Sequence, residues 1–229
     1  ALAGGGSKVS PGEISLSHFG VLFLDELPEF KRESLEALRQ PLEDGVVSVA
    51  RVNAKVKYPA DFMLVAAMNP CPCGNYGSKQ RECRCTPRQI KGYLGRVSGP
   101  LLDRIDMHIE LNEVTYSEIS SKVVNETSKV IKNRVDDART IQQDRYVGLK
   151  AYTNSQINNS QVKKYCNIDE SGEDLIKTAF TKLDISARSY NRILKVSRTI
   201  ADLENKKMIN ANHIAQAIQF RTLDRKYWG

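Results

Sequence analysis

The sequence predicts a mixed fold: an α/β region up to about residue 112, followed by an all-helical region from 113 to 229. Three observations carry this. Gly20-Val-Leu-Phe-Leu24 is an apolar run of strand length ending in Asp25-Glu26, the pattern of a buried parallel strand with chemistry at its carboxyl end. Phe62 to Met68 repeats the pattern and ends in Asn69-Pro70. From Val114 onward the apolar residues fall at helical spacing instead. With 229 residues, 41% hydrophobic and 27% charged, the chain has a globular composition and the length for a domain plus an appendage. It has no apolar run of about 18 residues, which excludes a membrane-spanning helix. Ala1 to Ser7 lacks the basic start and apolar core of a signal peptide, so a cytoplasmic location is expected. The missing initiator Met suggests a piece of a longer protein.

Gly4 to Gly12 reads as a flexible loop, and Ile14-Ser-Leu16 leads into the first strand. A helix is expected from about Lys31 to Glu43, because Leu35, Leu38 and Leu42 share a face and Gly45 stops it. Val46 to Tyr58 alternates on both sides of Asn53 and reads as a hairpin with Arg51, Lys55 and Lys57 on its polar face. A loop rich in Gly, Pro and Arg follows Asn69. Pro87 to Tyr93 is helical in composition, and Met107 to Leu111 reads as a third strand. Thr115-Tyr-Ser-Glu118 is a capping box opening a long helix with Val130, Ile131 and Val135 on its apolar side. Ser171 and Ser186 are expected caps of two further helices, and Asn210 the cap of a last one ending near Leu223.

An Asp at a strand's carboxyl end can hold a hydrated Mg²⁺, and the adjacent Glu can polarise a water for in-line attack on a γ-phosphate. A solvated acidic turn is the plain alternative for Asp25-Glu26. Asn69, at the end of the second strand, could orient the same water. Arg104, in Leu101-Leu-Asp-Arg-Ile-Asp106, could reach a neighbouring subunit's nucleotide, or simply pair with Asp103 or Asp106.

Val21-Leu-Phe-Leu-Asp-Glu-Leu-Pro-Glu-Phe30, Leu64-Val-Ala-Ala-Met-Asn-Pro-Cys-Pro-Cys-Gly74 and Ser98-Gly-Pro-Leu-Leu-Asp-Arg-Ile-Asp106 resemble the Mg-chelatase-like AAA+ ATPases of the YifB/ComM group. The resemblance runs through nearly the whole chain. It implies a partial AAA+ P-loop NTPase core over 1–112, with a β-hairpin insert, and an all-α lid over 113–229. Asp25 and Glu26 match the Walker B pair, Asn69 sensor 1 and Arg104 the arginine finger. Ser186 to Leu203 is similar to the sensor 2 helix, with Arg188 at the phosphate-reading position and Arg192 and Arg198 as weaker candidates. The hairpin around Asn53 resembles a pore-facing insert that contacts DNA in related helicases. ATP and Mg²⁺ are the implied cofactors, DNA the implied partner and a homo-hexamer the implied assembly. The family's P-loop is not found here: Gly4-Gly-Gly-Ser-Lys8 has no Gly directly before the Lys and Val9 after it. The 229 residues alone are therefore expected not to hydrolyse ATP, and the sheet to be open or completed by another chain.

Cys71, Cys73, Cys83 and Cys85 form two C-x-C pairs, which read as a structural zinc site, with reduced thiols or disulfides as alternatives. Arg81, Arg84 and Arg88 beside them would offset thiolate charge and could touch phosphate. Cys166 and the histidines His18, His108 and His213 read as structural. The 34 Lys and Arg against 27 Asp and Glu give a net charge of +7, which permits attraction to phosphate but also serves solubility. The leading functional reading is the C-terminal part of a DNA-acting motor. The alternatives are an ATPase subunit of a metal-insertion complex and a zinc-stapled interaction module.

Overall fold

The computed structural model describes residues 2–5, 10–51, 54–114, 116, 120, 125–182 and 185–221. They fall into two compact units, Ala1–Ile105 and Asp106–Leu223, each with its own apolar core. Within the predicted N-terminal loop, β1 (Gly4–Gly5) pairs antiparallel with β2 (Ser10–Pro11), and the short helix α1 (Glu13–Leu16) follows. Next, β3 (Val21–Leu24) carries the chain to Asp25.

The helix expected over 31–43 is two helices, α2 (Arg32–Glu36) and α3 (Arg39–Asp44). Pro41 explains the break. In one continuous helix its ring would meet the Ala37 carbonyl and leave that carbonyl without a donor, whereas in the first turn of α3 no donor is needed. Leu35 and Leu38 are still buried. The hairpin forms as β4 (Val46–Arg51) and β5 (Ala54–Pro59), antiparallel, with its turn at 52–53 outside the described residues. In the register, Lys57 stands opposite Ser48, Lys55 opposite Ala50 and Arg51 opposite Ala54. The side chains of Arg51 and Lys55 lie outside the described residues, and Lys57 is exposed.

The last strand, β6 (Met63–Ala66), pairs in parallel with β3, Val21 opposite Met63 through Leu24 opposite Ala66. One face of this ribbon is core: Leu22 and Leu24 are buried against Leu27, Leu38 and Leu101. Each contributes about 2 kcal/mol by leaving water. Its other face is apolar but open, with Val21, Phe23 and Met63 each 58% exposed. Among the described residues this sheet holds two strands, β3 and β6. Helix α4 (Pro87–Leu94) starts at a Thr86–Gln89 capping box, and α5 (Gly99–Leu102) ends the unit.

Met107 to Leu111, expected as a third strand, has no regular secondary structure or strand pairing, and Ile109 and Leu111 are 64% and 88% exposed. A strand needs a neighbour for its peptide groups, and no described strand runs beside this segment. Its His108 N–H donates instead to the Phe220 carbonyl at 2.7 Å. The capping box at 115–118 lies outside the described residues, apart from Tyr116. The long helix expected to grow from it is interrupted. Residues 125–127 are not helical, and the Thr127 hydroxyl accepts the Val130 N–H to cap a separate helix, α6 (Ser128–Arg145). Val130, Ile131 and Val135 stay largely exposed.

Helices α7 (Asn159–Tyr165), α8 (Glu170–Lys182), α9 (Ala187–Leu203) and α10 (Ala211–Gln219) complete the second unit. Ser186 and Asn210 cap α9 and α10 as expected. For α8 the cap is Asp169 rather than Ser171, because the Asp169 carboxylate accepts the Gly172 N–H at 2.8 Å and the Ser171 hydroxyl at 2.7 Å. Gly172 is required by close approach, since a Cβ there would lie 2.6 Å from the Ile168 side chain.

The polar centre of this unit is Asp202, whose side chain is fully buried. It accepts from Arg145 (Nη1 at 2.8 Å), from Arg198 (Nε at 3.1 Å) and from Asn154 (Nδ2 at 2.9 Å). Arg198 also donates to the carbonyls of Lys206 and Lys207, so the loop after α9 is tied to the helix itself. Two guanidiniums around one buried carboxylate are stable only together. Replacing Asp202 with Asn leaves both cations uncompensated and is expected to cost about 3 to 5 kcal/mol. Urea unfolding followed by circular dichroism measures this.

Candidate functional site

The parallel pairing sets the first group. Two hydrogen bonds extend the ladder past its last strand pair: Ala67 N–H to the Leu24 carbonyl (2.9 Å) and Leu27 N–H to the Ala67 carbonyl (3.0 Å). The carboxyl ends of β3 and β6 therefore emerge on one edge, with Asp25, Glu26 and Asn69 exposed there. The Asp25 carboxylate accepts the Glu26 N–H at 2.8 Å. Glu26 is left-handed, at φ 51° and ψ 47°, a conformation that costs a non-glycine residue about 1 kcal/mol. Backbone strain of this kind collects where a side chain must be aimed against local preference. Two exposed carboxylates beside an exposed amide can hold a divalent cation and orient a water.

Two residues that the sequence did not single out brace this edge. The Asn69 backbone N–H is directed at the hydroxyl of Tyr93, a buried residue of α4. Burial, then the Glu29 carboxylate, hold that phenol above its ordinary pKa. Arg96 donates to the Pro28 carbonyl at 3.2 Å and to Glu29 at 2.9 Å, just past Glu26.

Arg104 is engaged within its own unit. Its Nε donates to the Arg39 carbonyl at 3.1 Å, Nη1 to the Pro100 carbonyl at 2.6 Å, and Nη2 pairs with Glu43. These partners leave out Asp103 and Asp106, the expected ion-pair alternatives; Asp106 pairs with Arg192 at 2.9 Å. On α9, Arg188 is exposed in the first turn, whereas Arg198 is buried in the Asp202 network and is structural.

The second group is the four cysteines, whose sulfurs all lie within 4.8 Å of one another. Cys71 lies 3.4 Å from Cys73 and 3.7 Å from Cys83, and Cys73 lies 3.6 Å from Cys83. Four thiolates at about 2.3 Å from a tetrahedral zinc stand about 3.8 Å apart, so the set fits zinc. All five cysteines are free thiols in this structure. Gly74, at φ +80°, closes the turn by donating its N–H to the Cys71 carbonyl at 3.0 Å, a conformation strained for other residues.

Backbone N–H groups of Asn75 and then Arg84 aim at Cys73 and lower its pKa to about 6. Burial, then the Cys73 sulfur, push Cys85 up to about 12. For Cys83 the Cys85 N–H pulls downward, but burial and the neighbouring thiols outweigh it and raise the value. Without a cation this cluster accommodates one negative charge readily and resists more, which is the electrostatic demand a metal satisfies.

Comparison with known proteins gives the kinship of the chain. Residues 1–119 match the family model for magnesium chelatase, subunit ChlI, and 125–221 match that for the ChlI C-terminal region. The chain is 45% identical to competence protein ComM of Haemophilus influenzae over 98% of its own length and 43% of that protein's. It is 43% identical to the uncharacterized protein YifB of Escherichia coli, over 98% of the chain and 44% of the relative. Against the chloroplastic magnesium-chelatase subunit ChlI-2 of Arabidopsis thaliana the identity is 22%, over 95% of the chain and 46% of that protein. The chain thus spans less than half the length of these relatives. Its two units correspond to a partial AAA+ core and a helical lid. The chain belongs to the magnesium-chelatase-like AAA+ family that includes ComM and YifB.

Proposed function

We propose that these residues are the C-terminal part of an ATP-hydrolysing AAA+ motor that assembles as a homo-hexamer and acts on DNA. The observation that supports the ATPase reading is the shared edge of β3 and β6, past whose carboxyl ends Asp25, Glu26 and Asn69 are all exposed. Asp25 holds the magnesium ion that accompanies ATP and neutralises phosphate charge. Glu26 polarises the attacking water, and Asn69 orients it. Arg104 serves a neighbouring subunit's nucleotide, which requires it to exchange Glu43 for phosphate. Arg188 reads phosphate from the lid. Kinship with a competence protein and a hairpin bearing Lys55 and Lys57 support DNA as the partner. The higher identity to ComM and YifB than to the chloroplast subunit favours this over metal insertion into a porphyrin.

The cysteines hold a structural zinc, which ties the loop after Asn69 to the start of α4 and takes no part in hydrolysis.

Three measurements test these assignments. In the full-length protein, Glu26→Gln is expected to lower DNA-stimulated ATPase by about 100-fold or more, the loss typical of a missing general base. The Lys55→Ala/Lys57→Ala variant should weaken DNA binding, and unchanged binding removes the hairpin from the site. The 229-residue chain alone should show no ATPase above background.

Elemental analysis is expected to give about one zinc per chain. Well under one, with four reactive thiols, would sink the tetrathiolate site. In metal-free protein at pH 7, Cys73 should alkylate first, because with a pKa of about 6 it is mostly thiolate there. Its rate should fall as the pH drops below 6. Cys85 should lag, and Cys166, buried and pushed up to about 11 chiefly by that burial, should react only on unfolding. Mass spectrometry of the alkylated peptides reads this order.

A further inference from the structure

Between residues 79 and 91 stand Lys79, Arg81, Arg84, Arg88 and Lys91 against a single carboxylate, Glu82, and all six are exposed. Among the described residues none of these five cations makes an ion pair. Other arginines of the same unit do: Arg39 with Glu36, Arg96 with Glu29 and Arg104 with Glu43. A zinc tetrathiolate carries two negative charges. With Glu82 that makes three, so the cations exceed what local neutrality needs.

Their backbone stations are fixed as well. The Ser78 hydroxyl accepts the Gln80 and Arg81 N–H groups at 3.1 and 2.8 Å. The Arg84 N–H is directed at the Cys73 sulfur. Thr86 and Gln89 exchange side-chain and backbone hydrogen bonds at the start of α4, where Arg88 and Lys91 lie one turn apart on one face. Tyr76, 42% exposed, adds an aromatic surface to the same loop. Cations on a rigid loop with an accessible ring are what binding of single-stranded nucleic acid requires. The cations neutralise phosphates, the ring stacks on a base, and little ordering entropy is lost. Guanidiniums, three of the five, suit the paired oxygens of a phosphate.

We infer that residues 76–91, held in shape by the four thiolates, form a contact surface for the phosphate backbone of single-stranded DNA, distinct from the hairpin. The inference rests on the DNA-acting reading and names a second contact for it.

The test is fluorescence anisotropy of a labelled single strand with zinc-loaded full-length protein, across about 50 to 200 mM salt. Four variants are compared with the unchanged protein: Arg81→Gln/Arg84→Gln/Arg88→Gln/Lys91→Gln, the charge-keeping Arg81→Lys/Arg84→Lys/Arg88→Lys, Lys55→Ala/Lys57→Ala, and Tyr76→Ala. Loss of four phosphate contacts should weaken binding by about 10- to 100-fold and flatten the log–log salt slope by about 2 to 3. The lysine variant should keep the slope, and basal ATPase without DNA should be unchanged in both. Stripping the zinc from the unchanged protein should weaken binding comparably, and retained affinity would overturn the role given to the thiolates. Equal affinity and slope in the four-Gln variant, with loss in the hairpin variant, would overturn the surface while leaving the motor reading intact. No binding by the unchanged protein would remove both. Polyglutamate competing as well as the strand at equal chain charge would assign the surface to an acidic protein instead.

Discussion

Four residues of parallel pairing between Val21–Leu24 and Met63–Ala66 govern the α/β unit. Parallel strands cannot be joined by a tight turn, so the chain must leave the sheet and return. Here it does so through α2, α3 and the hairpin. The pairing buries Leu22 and Leu24 on one face and, because both strands run the same way, delivers their carboxyl ends together. A slip of one residue would turn Leu22 and Leu24 outward and Phe23 inward, and would shift Asp25 against Asn69. The same register thus fixes both the core and the edge where the acidic pair meets the amide. The left-handed Glu26 is the local cost of turning the chain sharply at that edge.

The helical unit obeys a different constraint. Its centre is ionic, with Asp202 drawing Arg145 from α6, Arg198 from its own helix and Asn154 from the turn between α6 and α7. Apolar packing alone would tolerate small sliding of these helices, whereas a desolvated carboxylate shared by two guanidiniums does not. The phosphate-reading role proposed for Arg188, in the first turn of α9, would gain from such a rigid interior. Arg198, ten residues further along that helix, is spent on this interior.

The sequence made the two strands, their polar ends and the cysteine cluster legible because each is local: an apolar run with its terminus, or thiols within fifteen residues. It also made the lid's Ser186 and Asn210 caps legible, since a cap is read within four residues. What failed was non-local. Met107 to Leu111 has strand composition, but a strand exists only when a neighbour accepts its peptide groups. The helix over 31–43 is the exception, a local miss: its apolar spacing was right, and the Pro41 clash with the preceding turn overrode it. The bracing of Asn69 by Tyr93, and the capture of Arg104 by Glu43, link residues that lie 24 and 61 positions apart and have no signature in either segment.

Asn69 and Cys71 are separated only by Pro70, whose ring fixes one of the few torsions between them. Mechanically this is a short, stiff crank: displacement at one end arrives at the other almost undiminished. Cys71 is fully buried and its sulfur sits among the other three, so the cluster acts as the crank's fixed bearing. The amide at the sheet edge therefore inherits its positional tolerance from the sulfur cluster as much as from the strand that precedes it.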